Sequence, residues 1–137
     1  MSDRQRLRKQ LRKARRELAP RWRARATATA LSHVRSHHRY LRSQRIALYA
    51  GADGELCPMG LVADALAHKK TVYLPVLHPF RRGRLMFCAW RPGTPLRRNR
   101  FGIQEPVPNA ANLIPLRHLD LVLVPLLGFD DHGNRLG

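Results

Sequence analysis

The sequence predicts an α/β fold: an open, mostly parallel sheet with flanking helices in three layers. Three observations carry that expectation. Helical periodicity fills the first forty residues, two β-rich runs (RIALYAG and TVYLPVL) bracket a helix-patterned segment, and a nearly all-apolar run (LDLVLVPLL) returns near the end.

The first helix is marked by Leu7, Leu11, Ala14 and Leu18, spaced by four, three and four, which puts them in one narrow stripe. Pro20 ends or interrupts it. Arg4, Arg8 and Arg15 fall along one flank of the stripe and are expected to be half-buried; most other basic residues there point to solvent. A second amphipathic helix is expected from Trp22 to Leu41 on the repeat Leu31, Val34, His38 and Leu41. RIALYAG then reads as a strand, MGLVADALAHKK as a helix and TVYLPVL as a strand. A crossover of that length makes the two strands parallel and the connection right-handed.

LMFCAW is a further, shorter strand after the turn-rich HPFRRGR. Residues 91–118 hold five prolines, which argue against any regular element longer than a turn or two. A structureless stretch of that length inside a compact domain is usually functional or disordered. Asp120–Leu127 reads as a central parallel strand buried on both faces, although Pro125 sits badly with that assignment.

A chain of 137 residues is long enough for one domain and short for two, so 1–137 is read as a single α/β domain, with 1–42 a basic helical segment and 43–137 the sheet region. No apolar run approaches the length of a membrane span, and the arginine-rich start lacks the apolar core of a secretory signal. Cys57 and Cys88 are far apart, which points away from a disulfide framework or thiol metal site and toward a reducing, cytoplasmic setting. His33, His37 and His38 have no acidic or thiol neighbour to complete a site and read as solvated helix residues. Lys and Arg total 26 against 9 acids, a formal charge of +17. Residues 1–45 alone hold 15 Lys/Arg and two acids, a local charge of +13. An anionic partner is expected: nucleic acid, an acidic surface or a small polyanion such as a nucleotide.

In open α/β sheets ligands gather outside the carboxyl ends of the strands. Two loops qualify: GADGEL, carrying Glu55 near the start of a helix, and GFDDHGNRLG, carrying Asp130, Asp131 and Arg135 among glycines. If their strands are parallel neighbours, the loops face one site. Each piece also has a plain reading. Glu55 can be a cap or dipole partner, Asp130–Asp131 an ordinary turn, and the last loop completes no phosphate-binding pattern.

Taken in order, RQRLRKQLRKARREL, IALYAGADGEL, VYLPVL, LMFCAW, NRFGIQEP and DLVLVPLLGFDDHGNRLG resemble the 5-formyltetrahydrofolate cyclo-ligase family over the whole chain, the last two most specifically. The resemblance implies a cytoplasmic, nucleotide-binding enzyme of folate one-carbon metabolism that uses ATP and Mg²⁺ to convert 5-formyltetrahydrofolate into 5,10-methenyltetrahydrofolate. The formyl oxygen is phosphorylated, the N10 amine closes the ring and phosphate departs. Such chemistry needs positioning and positive charge more than a protein nucleophile, so no single catalytic residue is assigned.

Carried over, the family's basic pair falls on Arg4 and Arg8, within an ATP-binding segment Arg4, Gln5, Arg6, Leu7 and Arg8. Many members have Lys where Arg4 stands, and either cation meets a phosphate. Glu55 matches the folate-contacting glutamate, with Ala50 near the substrate and Met86 and Phe101 as apolar walls, beside a packing reading for the last two. Arg135, Leu136 and Gly137 match the opening of the ATP loop. The family's glycine-rich continuation, with its Mg²⁺-holding Asp, is expected beyond Gly137, so no metal ligand is assigned within this chain. The sheet is accordingly expected to be incomplete at its C-terminal end, and the 137-residue form to be a fragment, marginally stable and poorly active or inactive. A monomer is favoured. The rival readings are a basic nucleic-acid-binding module and a non-catalytic fragment. Residues 1–45 offer only Trp22 and Tyr40 for base stacking and no recognisable reading element, so weak, salt-sensitive polyanion binding is expected as a side effect of charge.

Overall fold

The computed structural model describes residues 1–137. Ser2 opens α1 (Asp3–Glu17) with a reciprocal cap, its hydroxyl accepting from the Gln5 amide while the Gln5 side chain accepts from the Ser2 amide. Pro20, in the first turn of α2 (Pro20–Ser36), occupies a place where its missing N–H is no loss. The helix expected to run unbroken from Trp22 to Leu41 is two. The backbone extends at His37 (φ −75°, ψ 133°), whose Nδ1 accepts from the Arg39 amide at 3.2 Å and caps α3 (His38–Arg42). The break turns a different helical face toward the core. Leu31 stays buried, but His38 and Leu41 of the expected stripe are exposed and Tyr40 takes the core position.

The main sheet has five strands: β1 (Arg45–Ala47), β2 (Thr71–Leu77), β3 (Leu85–Ala89), β6 (Leu113–Ile114) and β7 (Leu121–Val122), in the order β6-β3-β2-β1-β7. Pairing is parallel between β1 and β2 and between β1 and β7, and antiparallel where β3 meets β2 and β6. The crossover from β1 to β2 is a 3₁₀ turn (Pro58–Leu61) leading into α4 (Val62–Ala67). Between β3 and β6 the proline-rich stretch forms a small hairpin, β4 (Leu96–Arg98) with β5 (Gln104–Pro106). A second hairpin, β8 (Gly128–Phe129) with β9 (Arg135–Leu136), comes after β7.

The expected central strand Asp120–Leu127 is therefore a half-buried edge strand. Only Leu121–Val122 pair with β1, Leu123 still donates to the Ala47 carbonyl at 3.0 Å, and beyond it Val124 and Leu126 are exposed around Pro125, which has no N–H to offer. Its register is fixed at the start, where one Asp120 oxygen accepts from the amides of Gln44 (2.9 Å) and Arg45 (2.8 Å).

The larger apolar cluster joins one face of the sheet (Ile46, Leu48, Val72, Leu74) to Leu31 of α2, Tyr40 of α3 and Leu61, Val62 and Ala65 of the crossover. On the other face Ala47, Tyr73 and Phe87 pack with Ile114 and Val122 of the same sheet and with Leu119, just ahead of β7. The α/β class with flanking helices stands. By contrast α1 buries no residue at all.

Candidate active site

Because β2 and β7 lie on opposite sides of β1, the carboxyl end of β1 is the point where the strand order reverses, the usual place for a ligand crevice in such sheets. The chain leaving β1 runs through Tyr49 and Ala50 into a tight turn, closed by the Glu55 amide donating to the Ala52 carbonyl at 3.0 Å. Asp53 (φ 51°) and Gly54 (φ 73°) both adopt left-handed backbone, which suits an Asp-Gly pair. A side chain at Gly54 would also meet the Arg23 guanidinium, 2.9 Å from where its Cβ would stand.

That turn is gripped from α1. Arg16 donates Nε to Asp53 Oδ1 (2.8 Å) and Nη2 to Oδ2 (3.1 Å), and Arg15 adds Nη2 to Oδ2 at 3.1 Å. These bonds, led by the Arg16 side chain, hold the Asp53 carboxyl below its ordinary range. Arg15, 16% exposed, also brings Nη1 to 4.0 Å from Glu55 Oε1. Glu55 Oε2 accepts from the Ala52 amide at 3.2 Å, the cap-like bond of its plain reading, yet the side chain faces two hollows. One, of about 260 Å³, holds Ala50, Glu55 and Phe101 together with Leu77, Asn99 and Glu105. The other, about 280 Å³, lies against α2 and is lined by Leu31, Val34, Leu123 and Val124. Tyr49, Glu55 and Pro125 border both. Burial, then the nearby Glu55, pushes the Tyr49 phenol up, and its hydroxyl donates to the Leu56 carbonyl at 2.5 Å.

Three of the four expected substrate contacts, Ala50, Glu55 and Phe101, thus share one groove. Met86 does not line it. In the β2–β3 register Met86 faces Val76 and Leu85 faces Leu77, so strand alternation puts Leu85 on the groove side.

The expected nucleotide residues are more dispersed. Arg8 is half-buried, as the flank argument required, but Arg4 is exposed because it lies in the first turn, ahead of Leu11, the first half-buried member of the stripe. Gln5 is engaged in the cap, Arg6 lies 3.8 Å from Asp3, and Leu7 is 46% exposed. Arg135 and Leu136 form β9 and Gly137 comes next with φ 104°. The loop before them is the ordinary turn of its plain reading. Asp130 Oδ1 accepts from the His132 and Asn134 amides and Oδ2 from Asn134 Nδ2, bonds that lower the Asp130 carboxyl with the Asn134 side chain foremost. The hairpin meets α1 where Leu11 Cδ1 lies 3.0 Å from the point a Cβ on Gly128 would occupy. Arg8 is one turn away, so α1, the Glu55 turn and the last hairpin meet at one end of the sheet.

Sequence reasoning missed the Arg15–Asp53–Arg16 cluster and the Asn99–Glu105 pair. The first had a signal in the flank position of Arg15 and the Asp-Gly turn; the second had none beyond its place in a proline-rich loop.

No group of three or more His, Cys, Asp or Glu side chains converges in the chain. Asp53, Asp120 and Asp130 are each already engaged by protein donors, so the residues present do not fit a Mg²⁺ ion of their own.

The model of the 5-formyltetrahydrofolate cyclo-ligase family matches residues 1–137. A 5-formyltetrahydrofolate cyclo-ligase of Haemophilus influenzae is 40% identical over 134 residues, 98% of this chain and 72% of that protein. One from Escherichia coli K12 is 35% identical over 127 residues, 93% and 70% of the two chains. The solution structure of Aquifex aeolicus 5,10-methenyltetrahydrofolate synthetase superposes with a TM-score of 0.81 at 26% identity, over 98% of this chain and 66% of that one. The Mycoplasma pneumoniae 5,10-methenyltetrahydrofolate synthetase, at 20% identity and a TM-score of 0.73, shares the fold over 99% of this chain and 71% of its own.

Proposed function

The chain belongs to the 5-formyltetrahydrofolate cyclo-ligase family, whose members are enzymes, and from that premise we propose that it converts 5-formyltetrahydrofolate into 5,10-methenyltetrahydrofolate with ATP as phosphoryl donor. The observation that supports the reading is the position of Glu55, held at the strand-order reversal, facing an apolar groove and tied through Arg15 to the basic helix α1.

The reaction transfers the γ-phosphoryl group to the formyl oxygen and releases ADP. N10 then attacks the formyl carbon and gives up its proton, and the carbon–oxygen bond breaks as inorganic phosphate leaves. Phosphorylation is needed because an amide oxygen is a poor leaving group. In this reading Glu55 accepts hydrogen bonds from the N–H groups of the reduced pterin, with the Ala50 backbone beside it. Phe101 walls the groove, and Met86 behind Leu85 supports the sheet there. Arg4 and Arg8 meet the nucleotide phosphates with the Arg135–Gly137 segment, while Gln5, Arg6 and Leu7 carry the two arginines at one-turn spacing. Charge stabilisation by such groups is what phosphoryl transfer requires of a protein. No step is assigned to a metal held by this chain. The same reading makes residues 1–137 one domain, monomeric and cytoplasmic.

Calorimetric titration with 5-formyltetrahydrofolate tests the site. Saturable one-to-one binding is expected, with turnover by the 137-residue chain slow or absent and any ADP and phosphate release dependent on the folate. Absence of folate binding by the folded chain, or ATP hydrolysis indifferent to folate, would sink the proposal.

A further inference from the structure

The groove wall opposite Glu55 contains a buried carboxylate. Glu105 is 3% exposed, and its Oε2 accepts from the amide of Leu77, the last residue of β2, at 3.0 Å and from Asn99 Nδ2 at 3.3 Å. Arg97, its cross-strand partner in the hairpin, brings Nε to 3.6 Å of Oε1. Asn99 organises the turn between them. Its Oδ1 accepts from the amides of Phe101 (2.9 Å) and Ile103 (3.1 Å), its own amide donates to the Ile103 carbonyl at 2.9 Å, and its carbonyl accepts from the Gly102 amide at 2.9 Å. One side chain thus pins both backbone amides that flank the tip of the turn, and a second pins that side chain to the sheet.

A carboxylate taken out of water is unfavourable unless its hydrogen bonds are complete, and an apolar residue of similar size would serve a wall better if packing were all that mattered. What the pair supplies is rigidity at a place where packing supplies little, since Phe101 is 64% exposed and Ile103 41%. An exposed aromatic ring makes a binding surface only if its backbone is fixed in advance, because ordering it on binding subtracts from affinity.

We propose that Asn99 and Glu105 are positioning residues for folate binding, a buried clamp that fixes the turn bearing Phe101 and Ile103 to the end of β2. The proposal rests on the reading of this groove as the folate site. Asn99→Asp keeps the two bonds to Oδ1 but sets a second carboxylate against Glu105. Glu105→Gln keeps an acceptor for both Leu77 and Asn99. The dissociation constant for 5-formyltetrahydrofolate is expected to rise about tenfold in Asn99→Asp, the change that 1.4 kcal/mol produces, and to stay near wild type in Glu105→Gln. Amide exchange at Phe101 and Ile103 should quicken in Asn99→Asp even without folate. Phe101→Ala, at an exposed position that folding does not need, should weaken binding similarly, and the double variant should bind no worse than either single one. Full additivity in that cycle, or wild-type affinity in Asn99→Asp with the two amides deprotected, would overturn the proposal. A wild-type chain that is folded, with both amides protected, yet binds no folate would instead show that the folate reading itself is at fault.

Discussion

Arg16 holds Asp53 with two parallel hydrogen bonds, Nε to Oδ1 at 2.8 Å and Nη2 to Oδ2 at 3.1 Å, across 37 residues of sequence. The contact matters because α1 buries no residue of its own. A helix of 15 residues is marginal in isolation and depends on what it docks against. Here the dock is Leu11 over Gly128 at one point and two arginines on one carboxylate at another. Helix α1 carries the proposed phosphate contacts and the turn carries Glu55, so Asp53 joins the two halves of the proposed site.

Acid should therefore loosen α1 before it unfolds the sheet. The Asp53 carboxyl is held below its ordinary range by the Arg16 and Arg15 bonds. Its contribution is complete above the unfolded carboxyl value of about 3.9 and is lost as pH falls through the lower folded value. Amide protection factors along Asp3–Glu17 are expected to fall below about pH 4 while those of β1 and β2 hold. Asp53→Asn should bring the same loosening to neutral pH, and molar salt should mimic it in the wild type. Unchanged α1 protection in Asp53→Asn would show that the apolar contacts suffice.

Asp120 sets the register of the edge strand by a different route. Its lowered carboxyl owes most to the Arg45 amide, then to that of Gln44. Asp120→Ala removes both bonds at once and is expected to destabilise by about 1–2 kcal/mol, with the loss concentrated at the β1–β7 seam. Urea unfolding gives the total, and exchange at Gln44, Arg45 and Leu123 locates it. Asp120→Asn, which keeps an acceptor, should lose less.

How much of this could be read from the sequence depended on whether a local pattern or a distant partner decided the outcome. TVYLPVL is β2 to the residue, because a short apolar, β-branched run buried on both faces is settled by its own composition. The half-burial of Leu11, Leu18, Arg8 and Arg15 followed from periodicity, whereas Leu7 and Ala14 of the expected stripe are exposed. The helix break at His37 did not, since Leu31, Val34, His38 and Leu41 keep helical spacing through it and only the burial of Tyr40 beside Lys70 shows the rotation. The apolar run after Asp120 matched a central strand in composition, yet its place at the edge was decided by which strand lay beside β1. Glu55 was reached from its loop at the carboxyl end of a strand and then by family resemblance, Ala50 and Phe101 by resemblance alone. Asp53 and Glu105 were not: the partners of Asp53 lie on α1, far away in sequence, and Glu105 meets the Leu77 amide only when its hairpin docks on the end of β2.

Tyr40 offers a test of the larger core. It is 1% exposed, and its hydroxyl donates to Asp64 Oδ2 at 2.6 Å, tying α3 to α4. Burial chiefly, then this bond, pushes the phenol well above its ordinary value. Its protonated form is thus favoured in the folded state, and the resulting stability is lost as pH rises beyond about 10. Tyr40→Phe keeps the ring and leaves Asp64 short of a donor, so a loss of about 1–2 kcal/mol is expected in urea unfolding at neutral pH. Asp64→Asn, still an acceptor, should restrict the loss to under half of that, and equal losses in the two variants would mean that the bond stabilises only when its acceptor is charged.

Glu55 decides between the functional and the plain reading of its own turn. As a cap alone, it needs only an acceptor for the Ala52 amide, 3.2 Å away, and Gln supplies one. As the ligand for pterin N–H groups it needs negative charge, since a carboxylate accepts from a donor pair more strongly than an amide, which also presents an NH₂ group to one of the two donors. Glu55→Gln should therefore leave the unfolding midpoint unchanged and raise the dissociation constant for 5-formyltetrahydrofolate by about tenfold or more. Arg15 sharpens the test, for its Nη1 is 4.0 Å from Glu55 Oε1 while its Nη2 is bonded to Asp53. With Gln at 55 the Asp53 bond remains, so α1 stays docked and any loss of folate affinity belongs to the groove. Equal affinity in wild type and Glu55→Gln, with a stability loss confined to Glu55→Ala, would return Glu55 to the role of a turn cap and leave the groove without its anchoring charge.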